Sequence, residues 1–112
     1  MNLTSPKIRK IVLITAIVGG LVNTAMAQDV KQIAAGKQLF TQTAAPACAV
    51  CHTLKHAGAE GEVGPILDEL KPDAARVEKA IRNGIGVMPA FTNLTEEQVK
   101  LLAKYVVDVA GK

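Results

Sequence analysis

The sequence has no tryptophan, and Phe40, Phe91 and Tyr105 are its only aromatic residues. It has two cysteines, Cys48 and Cys51, and two histidines, His52 and His56, all within nine residues. A structural zinc site needs four ligands, usually as two separated pairs, and no second pair stands elsewhere in the chain. There is no run of alternating apolar and polar residues, no internal repeat and no low-complexity segment. Sheet folds, repeat arrays and disordered tails are therefore not indicated. The longest uncharged apolar run, Ile11 to Val22, is short for a helix that must cross a hydrocarbon layer of roughly 30 Å.

What surrounds that run gives it another meaning. Lys7, Arg9 and Lys10 precede it, and Ala25-Met26-Ala27 supplies an A-x-A cleavage site after it. Residues 1–27 read as a secretory signal peptide, with an uncleaved N-terminal anchor as the alternative. Cleavage would leave a single domain of 85 residues, 28–112. A core of that size is marginal by burial alone, so a cofactor filling the interior would matter. The whole chain carries 13 basic and 10 acidic side chains, and three of the basic ones leave with the signal. The formal charge then falls to zero, so the basic balance belongs to export and does not indicate nucleic acid or a membrane surface. The expected location is the periplasm, with no stable membrane span after processing.

Helical periodicity dominates the remainder, and the expected fold class is all-α. Val30, Ile33, Gly36 and Phe40 share one face of a first helix over 29–41. Pro46 and its small neighbours turn the chain, and Cys48 to Lys55 reads as a short helical stretch. Gly58, Gly61 and Gly64 make a loop, and a second short helix fits 65–70. Lys71-Pro72-Asp73 opens a helix that Gly84 stops. Gly84 to Asn93 is a loop. The last helix starts at a capping box, Thr95 with Gln98, and carries an apolar stripe of Val99, Leu102, Val106 and Val109 widened by Leu101 and Tyr105.

The chemistry centres on Cys48-Ala49-Val50-Cys51-His52. On a helical turn, residues i, i+3 and i+4 share a face. Two thiols can add to the two vinyl groups of a haem, and the imidazole can ligate its iron beside the attached edge. This C-x-x-C-H pattern signals covalent attachment of one haem c. A thioredoxin-like redox pair also uses C-x-x-C, but it needs a β-α-β setting that is missing here.

Met88 is the one methionine outside the signal segment. It lies in Gly84-Ile85-Gly86-Val87-Met88-Pro89, where glycines permit close approach to a flat ring and Pro89 stiffens the loop. Iron ligation between His52 and Met88 follows as the expectation, against a plain core role for the methionine. A soft thioether favours ferrous iron, and two filled axial positions suit electron transfer rather than enzymatic catalysis. His56 is only four residues from His52 and reads as a surface or haem-edge residue. Thr41 to Val50 and Asn83 to Thr95 carry no charge and flank the attached haem edge and Met88; they read either as a neutral contact patch rimmed by Lys37, Lys55, Arg82 and Lys100 or as tight loops packed on the haem.

With these residues in place, the chain resembles the class I c-type cytochromes over all of 28–112. Cys48 to His52 matches their attachment motif, Gly64-Pro65-Ile66-Leu67 their G-P-x-L segment, and Met88-Pro89 their distal-ligand motif. Gly36, Phe40 and Tyr105 match the crossing of their first and last helices. The resemblance implies a shell of three to five helices around one haem, with the Pro65 carbonyl accepting a hydrogen bond from His52. Family members often place Trp or Tyr near a haem propionate; without tryptophan, the propionate partners here are open. The stretch Cys51 to Phe91 is similar to small cytochromes that accept electrons from periplasmic sulfite dehydrogenases. The resemblance thus implies a single-electron carrier with such a donor, and a cytochrome oxidase or another cytochrome as acceptor. A haem subunit fixed permanently in an oxidoreductase complex is the alternative, and an open-iron haem enzyme or gas sensor a third.

Overall fold

The computed structural model describes residues 21–112. The basic start and most of the apolar run of the expected signal segment lie outside them. Five α-helices carry the described part: α1 Leu21–Gln38, α2 Cys48–Cys51, α3 Leu67–Leu70, α4 Ala74–Asn83 and α5 Glu96–Val109.

Helix α1 already includes Leu21 to Gln28, ahead of the predicted 29–41, and that stretch contains no glycine or proline to break it. At its other end the winding widens into a π-turn over Leu39–Thr43, which buries Leu39 and Phe40. The predicted apolar face holds only in part. Gly36 and Phe40 are buried and Ile33 half-buried, but Val30 is 67% exposed. Residues 23–31 are exposed throughout, so packing begins a turn later than periodicity suggests.

The two terminal helices meet at Gly36 and Tyr105. A Cβ on Gly36 would fall inside the Tyr105 side chain, so only glycine permits this approach. The Phe40 and Tyr105 rings pack tilted beside it, with centroids 6.1 Å apart.

Helix α5 starts as its sequence requires. The Thr95 hydroxyl accepts from the Gln98 backbone N–H, and the Gln98 side chain accepts from the Thr95 backbone N–H at 2.9 Å. Glu96 and Glu97 occupy the first turn, where the helix dipole favours acids. Its buried stripe contains Val99, Leu102, Tyr105, Val106 and Val109 as expected, joined by Ala103, while Leu101 is half-buried. Helix α4 is capped by the Asp73 carboxylate, which accepts from the Arg76 N–H at 2.8 Å, and ends at Gly84.

Between α2 and α3 the chain departs from the helical expectation. Helix α2 ends at Cys51 rather than continuing to Lys55. Two-residue strands follow, β1 Thr53–Leu54 and β2 Ala59–Glu60, paired antiparallel around a 3₁₀ turn at Lys55–Ala57. The reversal runs through Gly58, and its arms are too short for any alternation to register in the sequence. Helix α3 is also shorter than the predicted 65–70, since Ile66 is extended. The core joins Leu54, Ile81 and Phe91 to the buried stripe of α5.

Candidate functional site

A cavity of about 300 Å³ opens between α2, α4, α5 and the loops after α2 and α4. Phe40, Leu67, Ile81, Phe91, Leu102 and Val106 form much of its apolar wall. Cys48, Cys51, His52, Pro65 and Met88 all border it. The structure therefore gathers the five site residues picked out from sequence around one space, although Cys48 and Met88 are forty positions apart.

Both cysteines are half-buried free thiols with no disulfide between them. Burial pushes the Cys48 thiol up to about 11. His52 is not on the helical turn that its spacing suggests. It caps α2 in extended conformation, with φ −114° and ψ 142°. Three contacts nevertheless brace it. Its N–H donates to the Cys48 carbonyl at 2.9 Å, its own carbonyl accepts from Gly61 at 3.2 Å, and its ring Nδ1 donates to the Pro65 carbonyl at 2.8 Å. That last bond leaves Nε2 as the ring atom able to ligate. Gly64 lies so close that a Cβ there would collide with the imidazole.

Met88 is half-buried and held by a tight antiparallel bridge. The Ile85 N–H donates to the Met88 carbonyl at 3.0 Å, and the Met88 N–H returns to the Ile85 carbonyl at 2.9 Å. The Phe91 N–H then donates to the Ile81 carbonyl at 2.8 Å, tying the loop back to α4. Ile85 and Val87 are 63% and 84% exposed at the rim, and Val50 is exposed as well.

His56 does not border the cavity. Its Nδ1 shares a 3.0 Å hydrogen bond with the Tyr105 hydroxyl, and the two rings meet edge-on. Burial, helped by the Asp68 charge, pushes Tyr105 up to about 12. Arg82, expected as a rim charge, is already engaged: its guanidinium pairs with Glu78 at 2.8 Å and Glu96 at 2.6 Å. Asp68 escaped the sequence reading. It accepts from the Lys55 N–H at 2.8 Å and the Gly111 N–H at 3.0 Å, joining α3 to the 3₁₀ turn and to the end of α5. Those donors hold its carboxyl below the usual range. They lie 13 and 43 positions away, so no local motif announces them. Arg76 also carried no role in the sequence reading, and among the described residues it is the one permanently charged residue bordering the cavity.

The donor set tests what the cavity can hold. Among the described residues no group of three or more His, Cys, Asp and Glu could hold a metal ion. Two free thiols, an imidazole with one nitrogen occupied, a thioether and otherwise apolar walls fit a flat macrocycle that brings its own iron. Among the described residues no helix is long and apolar enough to cross a membrane.

Comparison with known proteins bears on this fit. Residues 31–106 match the family model described as "Cytochrome C oxidase, cbb3-type, subunit III". The crystal structure of the c-type cytochrome SorU from Sinorhizobium meliloti is 54% identical. The match covers 74% of this chain and 95% of that one, with a TM-score of 0.72. A search of curated proteins gives no match. With the attachment motif, the cavity and an all-α shell in agreement, the chain belongs to the c-type cytochrome family of that model: a monohaem electron carrier of class I type with covalently bound haem c.

Proposed function

We propose that this chain is a periplasmic single-electron carrier whose haem iron is held by His52 and Met88, and whose donor is a sulfite dehydrogenase. The observation that carries the ligand assignment is the convergence of a braced imidazole and a braced thioether on the cavity that the two thiols border. The haem supplies the one-electron couple. Cys48 and Cys51 fix its edge to α2, and the Pro65 carbonyl orients the His52 ring and raises its basicity. Met88 would supply the iron's second protein ligand, and the apolar wall would keep water from it. With both ligands in place no site would be left for a substrate, which favours electron transfer over enzymatic catalysis.

Export follows from the signal-like residues 1–27, and the exposure of 23–31 supports a domain whose packing begins beyond the cleavage site. The likeness over Cys51 to Phe91 supports the donor, and a cytochrome oxidase or another cytochrome is the acceptor. A second reading, a haem subunit fixed in a complex, draws on the description of the matching family as an oxidase subunit. Gel filtration of the native periplasmic extract separates the two: a carrier elutes free, and co-elution with an oxidoreductase overturns that reading.

Spectroscopy and turnover test the rest. The ferric protein should show the weak red-edge band of iron–thioether ligation and lose it in Met88→Ala. Purified sulfite dehydrogenase plus sulfite should reduce the haem. A wild-type protein lacking the band defeats the ligand assignment, and absence of reduction defeats the donor.

A further inference from the structure

We infer that Arg76 holds a haem propionate and, through its charge, raises the reduction potential of the iron. The inference rests on the cavity being the haem pocket. Arg76 is an exposed residue in the first turn of α4, its backbone N–H donating to the Asp73 carboxylate, and it borders the cavity. Among the described residues no carboxylate lines the cavity. Among the described residues, the ion pairs engage Arg82 and Lys104, and none engages Arg76. Arg82, the other arginine of α4, already spans Glu78 and Glu96, so it is not available to a ligand.

A haem brings two carboxylates to a pocket whose walls are otherwise apolar. A carboxylate in such surroundings is costly unless it is paired. A guanidinium suits that role, because its planar fork matches a carboxylate and it stays charged at all relevant pH values. The absence of tryptophan leaves fewer neutral donors to share the task. A positive charge beside a propionate offsets negative charge near the iron, and so favours the ferrous form. It also keeps the propionate ionised through neutral pH.

The test uses haem-loaded protein, with covalent haem verified by its spectrum in each variant. Redox titration across the neutral pH range compares the wild type with Arg76→Gln and Arg76→Lys. Arg76→Gln should have a lower midpoint potential, and its potential should fall with rising pH in the neutral range, where the wild type stays flat. Arg76→Lys keeps the charge and should stay near the wild type. A haem-loaded Arg76→Gln with unchanged potential and pH profile overturns the inference, as does an equal shift in both variants. Should Arg76→Gln fail to take up haem, the wild type decides: a flat potential supports the pairing and a slope overturns it. A wild-type chain without covalent haem would instead defeat the pocket reading itself.

Discussion

His52 donates from Nδ1 to the carbonyl oxygen of Pro65 across 2.8 Å, with Gly64 pressed against the same ring. The two neighbours act differently. Pro65 contributes a backbone atom that any residue carries, whereas Gly64 contributes the absence of a side chain. Pro65→Ala should therefore keep the hydrogen bond and leave the haem spectrum nearly unchanged. Gly64→Ala forces the imidazole or the loop to move and should cost about 1–3 kcal/mol of stability, with an altered Soret band. Denaturant unfolding with absorption spectra of both variants checks the contrast.

Gly36→Ala poses the same question in a helix, where alanine is ordinarily the better residue by about 1 kcal/mol. Here the new methyl meets Cβ and Cγ of Tyr105, which is fully buried on α5 against Phe40 and cannot step aside. Overpacking should win, with a net loss of about 1–3 kcal/mol. A rise in melting temperature would show that the two helices slide apart cheaply.

Asp68 sets an acid-side dependence. Its folded carboxyl lies below the ordinary value of 3.8 because it accepts the Gly111 and Lys55 N–H groups. A depressed carboxyl gives stability that is present above its unfolded value and is lost as pH falls through the folded one. Stability of the wild type should decline below about pH 4, and part of that decline should vanish in Asp68→Asn. The carboxylate is solvated, so the part should amount to less than about 1 kcal/mol.

Tyr105 sets an alkaline one. Its folded hydroxyl is raised to about 12, chiefly by burial. A raised group gives stability that is complete below its unfolded value near 10 and lost as pH rises towards 12. Tyr105→Phe should remove that alkaline loss. At neutral pH it gives up the His56 hydrogen bond, at a cost of about 0.5–1.5 kcal/mol. Unfolding at neutral pH and near pH 11 separates the two effects.

Electron exchange with a redox partner should depend weakly on ionic strength. Val50, Ile85 and Val87 stand exposed in two chain segments that carry no charge, and the Arg82 charge is matched by two glutamates. Screening acts on charges, so a contact led by such a surface has little to lose. Stopped-flow rates against salt measure this, and a steep dependence would refute it.

How far the sequence could be read follows from how local each signal is. The capping box of α5 and the Asp73 start of α4 each lie within a few residues, and both appear as expected. His52 shows the limit of spacing arguments: i and i+4 suggested one helical face, yet the ring reaches the cavity from an extended cap held by Gly61 and Pro65. The β1–β2 pair is too short for any periodicity. Asp68, His56 with Tyr105, and Arg76 draw their meaning from partners or a cavity wall far along the chain. Composition alone could not place them.

The crossing of α1 and α5 has one more implication, for the order of assembly. Phe40 from one end of the domain and Leu102 and Val106 from the other wall the same cavity, so the pocket exists only once the termini have met. Without its occupant, that meeting would enclose an apolar void and forfeit much of the contact that rewards it. A thiol buried as Cys48 is, and raised to about 11, is also a poor nucleophile. Attachment is thus favoured on an open chain, with ring closure afterwards: the haem is a template around which the two ends find each other.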